Sequence, residues 1–120
     1  MVLSIPGSGS GTVEKMSSHL DIPATLLPRL GVKNPPEDYS LGHDLTGSAE
    51  RTFTVTGHWR TLGYIDASYK ASFALDNSHF SGHHVTTADD VPVRDAEEFY
   101  ASHKENLVQV MRDISRFKAR

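Results

Sequence analysis

The sequence predicts an α+β domain: a small antiparallel sheet of about four strands, a long C-terminal helix packed on it, and a second, short helix near the N-terminus. Three observations carry this. From Arg51 onward apolar and polar residues alternate with a period of two, and after Asp95 the period lengthens to that of a helix. Only short turns separate the strand-like runs, which favours an antiparallel meander over parallel crossovers.

Taken in order, Val2 to Ile5 reads as a short apolar strand ended by Pro6, and Gly7-Ser8-Gly9-Ser10-Gly11 as a flexible loop. Residues 1–16 therefore form a strand plus Gly/Ser loop ahead of a single domain over 17–120. Asp21 to Leu30 reads as a helix, with Asp21 as N-cap, Pro23 in the first turn and Gly31 as the stop. Ile22, Leu26, Leu27 and Leu30 share one face at helical spacing, and Pro28 is expected to kink or shorten the last turn. Residues 32–50 carry turn chemistry, including Asn34-Pro35-Pro36 and Gly47-Ser48, and read as an ordered surface excursion.

The strands begin with Thr52, Thr54 and Thr56 alternating with Phe53 and Val55. Leu62 to Ile65 and Tyr69 to Leu75 follow, joined by a turn at Asp66-Ala67-Ser68, with a fourth strand over His83 to Thr86. In the final helix, capped by Asp95, the apolar stripe is Phe99, His103, Leu107, Val110, Met111, Ile114 and Phe117. Glu97 and Glu98 near its start and Arg112, Arg116 and Lys118 near its end suit the helix dipole.

At 120 residues, 38% of them hydrophobic, the chain can bury one core. A formal charge of −3 provides no electrostatic footprint for nucleic acid or an anionic membrane. Cysteine is absent, so disulfides, thiolate metal sites and a cysteine nucleophile are excluded within these residues. Met1 to Pro6 lacks the basic and apolar regions of a signal peptide, and no run approaches the ~18 apolar residues of a membrane span. As written, the chain is expected to be soluble and cytoplasmic, with no membrane contact by this segment.

Ser18-His19-Leu20-Asp21-Ile22-Pro23-Ala24-Thr25-Leu26-Leu27 resembles a helix found late in sulfatases and their relatives in the alkaline phosphatase superfamily. That family carries Asp-aliphatic-x-Pro-Thr-Leu-Leu, then Leu-Gly and a loop with Gly-x-x-Leu. Leu30-Gly31-Val32 and Tyr39-Ser40-Leu41-Gly42-His43-Asp44-Leu45 follow here at similar distance, with Ala24 in place of the usual proline. These variants look most like the membrane-anchored, sulfatase-like hydrolases of bacterial envelopes. Trp59 with Leu62-Gly63-Tyr64-Ile65-Asp66 and Tyr69-Lys70-Ala71 is similar to their C-terminal sheet, and Met1 to Pro6 to the strand before the helix. The resemblance covers nearly the whole chain and suggests a start codon inside a longer reading frame.

What the resemblance implies is a non-catalytic C-terminal domain or fragment of a metal-dependent sulfuric or phosphoric ester hydrolase, membrane-anchored or periplasmic in its complete form. Ser4-Ile5-Pro6-Gly7-Ser8 lacks the arginine of the family's Cys/Ser-x-Pro-x-Arg motif, and Gly42-His43-Asp44 reverses the order of its Asp-His metal pair. No catalytic or cofactor-binding residue is carried over, and no cofactor is expected in this chain. The expected partners are the missing catalytic domain or a second copy in a homodimer, since an apolar Val2–Ile5 edge would lack its neighbours. A stand-alone interaction domain is the alternative.

Other constellations have simpler readings. Gly7, Gly9 and Gly11 lack the spacing and the Gly-Lys-Ser/Thr of a phosphate loop. His79, His83 and His84, with Asp76 nearby, are the best metal candidates and would make the chain a small His-loop metal-binding protein. Trp59 and Arg60 form a possible recognition corner, with an aromatic platform beside an anion-binding guanidinium. Asp89-Asp90 and Glu97-Glu98 read as solvated acids, because nothing predicts the burial that would separate their pKa values. Ser17, Ser18, His19 and Asp21 hold the letters of a catalytic triad, but neighbours at a helix start cannot adopt its geometry.

Overall fold

A computed structural model describes residues 6, 7, 9–58, 61–74 and 84–118. The predicted α+β architecture is present: α1 (Asp21–Arg29), four strands β1 (Phe53–His58), β2 (Thr61–Asp66), β3 (Tyr69–Ala74) and β4 (His84–Thr87), then α2 (Glu97–Lys118). The strands form one antiparallel sheet in the order β1-β2-β3-β4. The fourth strand is described from His84 and runs to Thr87, one residue beyond its expected end; His83 lies outside the described residues. Val2 to Ile5 and Leu75 lie outside the described residues. No helix among the described residues is long and apolar enough to cross a membrane.

Local chemistry fixes the hairpins. His58 pairs with Thr61, so a two-residue connection joins β1 to β2. Between β2 and β3, Asp66 Oδ1 accepts the amides of Ser68 and Tyr69, both at 2.7 Å, and folds the chain back. Beyond β4 the chain returns along that strand: Thr87 N–H donates to the Val91 carbonyl and Val93 N–H to the Val85 carbonyl, both at 2.9 Å. Pro92 bridges to Thr86 within this return.

The register sorts the side chains by face. Phe53 and Val55 share a face with Leu62, Tyr64, Asp66, Tyr69, Ala71, Phe73 and Val85, and α2 lies across it. Tyr64, Ala71, Val85 and Phe99 form the buried centre, with Phe53, Tyr69, Phe73, Ala96, Tyr100 and Leu107 around them. Phe53 stacks on Tyr64 with ring centroids 5.1 Å apart, and Phe99 meets Tyr64 and Tyr69 edge-on at 5.9 and 5.4 Å. The opposite face carries Thr54, Thr56, Thr61, Ser72 and Thr86, with Ile65 as its large apolar side chain.

Asp95 Oδ1 accepts the Glu97 amide at 3.0 Å, as its capping role predicts. The predicted stripe needs correction toward the C-terminus. Phe99 and Val110 are buried and His103, Leu107 and Ile114 half-buried, but Met111 and Phe117 are 55% and 42% exposed. Helix geometry explains Met111. Leu107, Val110 and Ile114, at steps of three and four residues, carry the buried face past it, and Met111 falls on a neighbouring face with Lys104 and Val108. Phe117 lies in the last turn of α2.

F99A is therefore expected to cost on the order of 3–5 kcal/mol, the range for truncating a buried aromatic. F117A should stay within about 0.5 kcal/mol of the parent. Thermal or urea denaturation of the two variants checks the difference.

Candidate functional site

Two polar clusters and one groove concentrate the chemistry of the molecule. The first cluster joins α1 to the loop after it. Asp21 does not cap α1, contrary to expectation; Leu20 occupies that position without a side-chain cap. The Asp21 carboxylate is 1% exposed and turns inward instead. Its Oδ2 accepts the Ser18 amide at 2.7 Å, and its Oδ1 accepts the His43 amide at 2.8 Å and the Arg51 guanidinium. Thr25, fully buried, donates from Oγ1 to the Asp21 carbonyl at 2.7 Å and accepts the Leu45 amide at 2.9 Å. Ser40 Oγ donates to the Leu20 carbonyl at 2.5 Å and accepts the Gly42 amide at 3.0 Å.

Gly42 is required by this closeness: a Cβ there would stand 1.9 Å from the Leu20 carbonyl oxygen. The loop is secured further out as well. Lys15 Nζ donates to the carbonyls of Gly47 and Ala49 at 2.7 and 2.9 Å and of Asp44 at 3.3 Å. Arg29 donates to Thr46 Oγ1 at 2.6 Å and faces the Asp44 carboxylate at 3.4 Å. Burial pushes the Asp44 carboxyl up, but the Thr46 amide and hydroxyl and the Arg29 guanidinium together hold it below its ordinary 3.8.

The buried face of α1 thus differs from the predicted one. Asp21, Ala24 and Thr25 are buried, Ile22, Leu26 and Leu27 half-buried, and Leu30 is 77% exposed. The loop over the helix is held by hydrogen bonds, so polar side chains belong underneath. Gly31 does end the helix, with φ of 95° and the Val32 and Gly31 amides returning to the Leu27 and Pro28 carbonyls at 3.0 and 3.1 Å. The helix closes one residue after Pro28.

The second cluster lies between α2 and the sheet. His103 Nε2 is 2.9 Å from Asp66 Oδ2, with the two side chains 15% and 12% exposed. The other ring nitrogen, Nδ1, lies 2.9 Å from the Phe99 carbonyl and 2.8 Å from Ser102 Oγ. Both imidazole nitrogens are taken within the protein, leaving none for a substrate or metal. Asn106 Nδ2 donates to Tyr64 Oη at 3.1 Å. Burial raises the Tyr64 hydroxyl pKa, and the nearby Asp66 charge raises it further, against the Asn106 hydrogen bond. For Asp66, burial acts upward, but the Ser68 and Tyr69 amides, the charge of a protonated His103 and the Tyr64 hydroxyl outweigh it. Its pKa stands below 3.8.

Neither cluster was singled out from the sequence. His103 stood only as one member of an apolar stripe, and a histidine there was the available signal for a polar partner on the sheet. Asp66 shares the Tyr64 face two residues on, which a face-by-face reading could have matched to it. Arg51 offered no local signal, since it meets Asp21 thirty residues away.

The candidates that were singled out are scattered. Trp59, Arg60, His79 and His83 lie outside the described residues, and His84 is exposed on β4. Among the described residues no group of three or more His, Asp or Glu could hold a metal ion. Asp89, Asp90, Glu97 and Glu98 are exposed, and Asp90 pairs with Lys70 at 2.8 Å. His19 is exposed and Ser18 is engaged through its backbone with Asp21, so the triad letters form no relay. A groove of about 720 Å³ runs between the Ser17–Leu20 segment and β1, with Leu41 and Ile114 in its walls.

No family model matches the chain, and no curated protein is similar to it at a significant level.

D21N leaves the Arg51 guanidinium, 11% exposed, facing a neutral amide, and should destabilise the fold by on the order of 3–5 kcal/mol, as for a broken buried ion pair. Equilibrium unfolding of D21N beside the parent measures it. Asp66 sets a pH dependence. Its folded pKa is depressed below 3.8, so its contribution is present above that value and is lost as pH falls through the folded one. The stability gap between parent and D66N should be widest near neutral pH and close in acid, as read by melting temperature against pH.

Proposed function

We propose that this chain is the non-catalytic C-terminal domain of a sulfatase-like hydrolase, bracing the catalytic domain and shaping one rim of its cleft. The observation that carries the reading is the latch around Asp21. The motif Ser18-His19-Leu20-Asp21, with Thr25, Ser40 and Gly42, resembles a late segment of that family, and the side chains of Asp21, Thr25 and Ser40 are spent on the main chain around them. Side chains used in this way are architectural: they hold a helix and a loop in fixed relation, while His19 stays exposed beside them. The reaction of the complete protein, metal-dependent sulfuric or phosphoric ester hydrolysis, belongs on this reading to residues outside the chain.

Two features support a docking role. The groove beside β1 is walled by polar and apolar residues from the segment before α1, the loop at Leu41, β1, β2 and α2. The outer face of α2 presents Val108, Met111 and Phe117, each more than 40% exposed. The second reading, a stand-alone interaction domain, draws on the same surfaces with a different occupant.

The purified chain is expected to hydrolyse neither aryl sulfates nor phosphate mono- or diesters, with or without divalent metal. Metal-dependent turnover that survives repurification and disappears in H83A/H84A would overturn this and favour a metalloenzyme centred on the histidine loop. The DNA upstream of codon 1 separates the two non-catalytic readings. An in-frame extension with a nucleophile motif and an Asp-His pair supports the hydrolase domain, and an in-frame stop the stand-alone one.

A further inference from the structure

The two edges of the sheet are finished differently. Since His58 and Thr61 close a two-residue hairpin, they exchange both main-chain hydrogen bonds, and so, by alternation, do Thr56 with Gly63 and Thr54 with Ile65. The N–H and C=O groups of Phe53, Val55 and Gly57 therefore point outward. The same alternation turns Val85 and Thr87 outward on β4, and there the edge is closed by Val91 and Val93, with Pro92 between them. On β1, no hydrogen bond from any described residue reaches the outward groups, and a groove separates Thr54–Gly57 from Ser18, Leu20 and Leu41.

We propose that the β1 edge is a self-association site, at which two copies of the chain pair antiparallel about a twofold axis through Val55 and join their sheets into one. The inference does not rest on the hydrolase reading, with which it competes for the groove beside β1; it rests on the self-complementarity of the strand. In that register Val55 faces the second copy's Val55, and Phe53 faces its Gly57. Each outward N–H and C=O of the three residues then meets a partner. On the core-facing side Phe53, its ring stacked on Tyr64 of its own chain, faces a glycine, so no side chain of the second copy crowds it. On the other side Thr54 faces Thr56 of the second copy, one of the favourable cross-strand pairs. From Phe53 to Gly57 there is no charge and no proline, the residues that ordinarily protect an edge. An isologous contact of this kind satisfies both copies at once.

The 54-to-56 pairing makes the register testable. T54K/T56K places like charges opposite each other twice across the axis, whereas T54K/T56E places opposite charges there. Sedimentation velocity of the full chain from low to high micromolar concentration should show a monomer–dimer equilibrium. The dimer should be lost in T54K/T56K and kept in T54K/T56E, with unchanged circular dichroism. A parent that stays monomeric throughout, or a dimer indifferent to both pairs, overturns the proposal. Because the chain has no cysteine, V55C supplies a second measurement that holds even if the lysine pair unfolds. Opposed residues on the axis have Cα atoms about 5.5 Å apart, within the roughly 4.4–6.8 Å that a disulfide spans. Mild oxidation should link V55C into dimers, while T46C, on the distant loop, stays unlinked. Failure of V55C to link is equally decisive against it.

Discussion

One buried carboxylate organises the N-terminal half of the molecule. Asp21 stands at the first position of α1, yet it holds three separate pieces of chain: the approach at Ser18, the loop at His43 and the entry to the sheet at Arg51. An ionised group this far from water is tolerated only where its lone pairs are occupied, and two amides and a guanidinium meet that condition. Ser40, Gly42 and Thr25 complete the fit by bringing the loop main chain against the helix start. Without that anchor a nine-residue helix, α1, would have little reason to persist, since isolated helices shorter than about 12–15 residues are marginal in water.

The C-terminal half rests on a different principle, aromatic packing between α2 and one sheet face. Tyr64, Phe99, Tyr69 and Phe53 supply most of the apolar surface, and the His103–Asp66 pair sits at their margin. The ring of His103 stacks on Phe99 with centroids 4.4 Å apart, so its imidazole serves as packing and as a polar contact together. The aromatic contacts come from the first two turns of α2, and Leu107, Val110 and Ile114 continue its buried side with aliphatic side chains. The two halves therefore differ in what they bury, a polar latch on one side and stacked aromatic rings on the other.

The strands and the last helix were readable because their periods are strong and their ends carry local chemistry. Asp66 makes the turn its position suggests, Asp95 caps α2, and Gly31 stops α1. Boundaries moved by a residue or so, as they do where pattern alone sets them. The inward turn of Asp21 was not readable. Local preference places an aspartate at a helix start as a cap, and the competing partner, Arg51, is joined to it only by the folded chain. The exposure of Met111 and Phe117 was likewise hidden, since an apolar stripe this broad does not say which of its two margins the sheet covers. The histidine pair with Asp66 needed the strand faces and the helix position together.

The return of residues 91–93 along β4 also limits how far the sheet can grow. A strand edge that accepts a neighbour is hazardous when both sides of a sheet are open, because each addition exposes a fresh edge and the stack extends without end. Here one side is closed by the chain itself, with a proline at its centre. Any pairing through β1 leaves only closed flanks outward, so edge-to-edge growth terminates after a single step. The fold can keep one sticky margin and still avoid becoming a fibre.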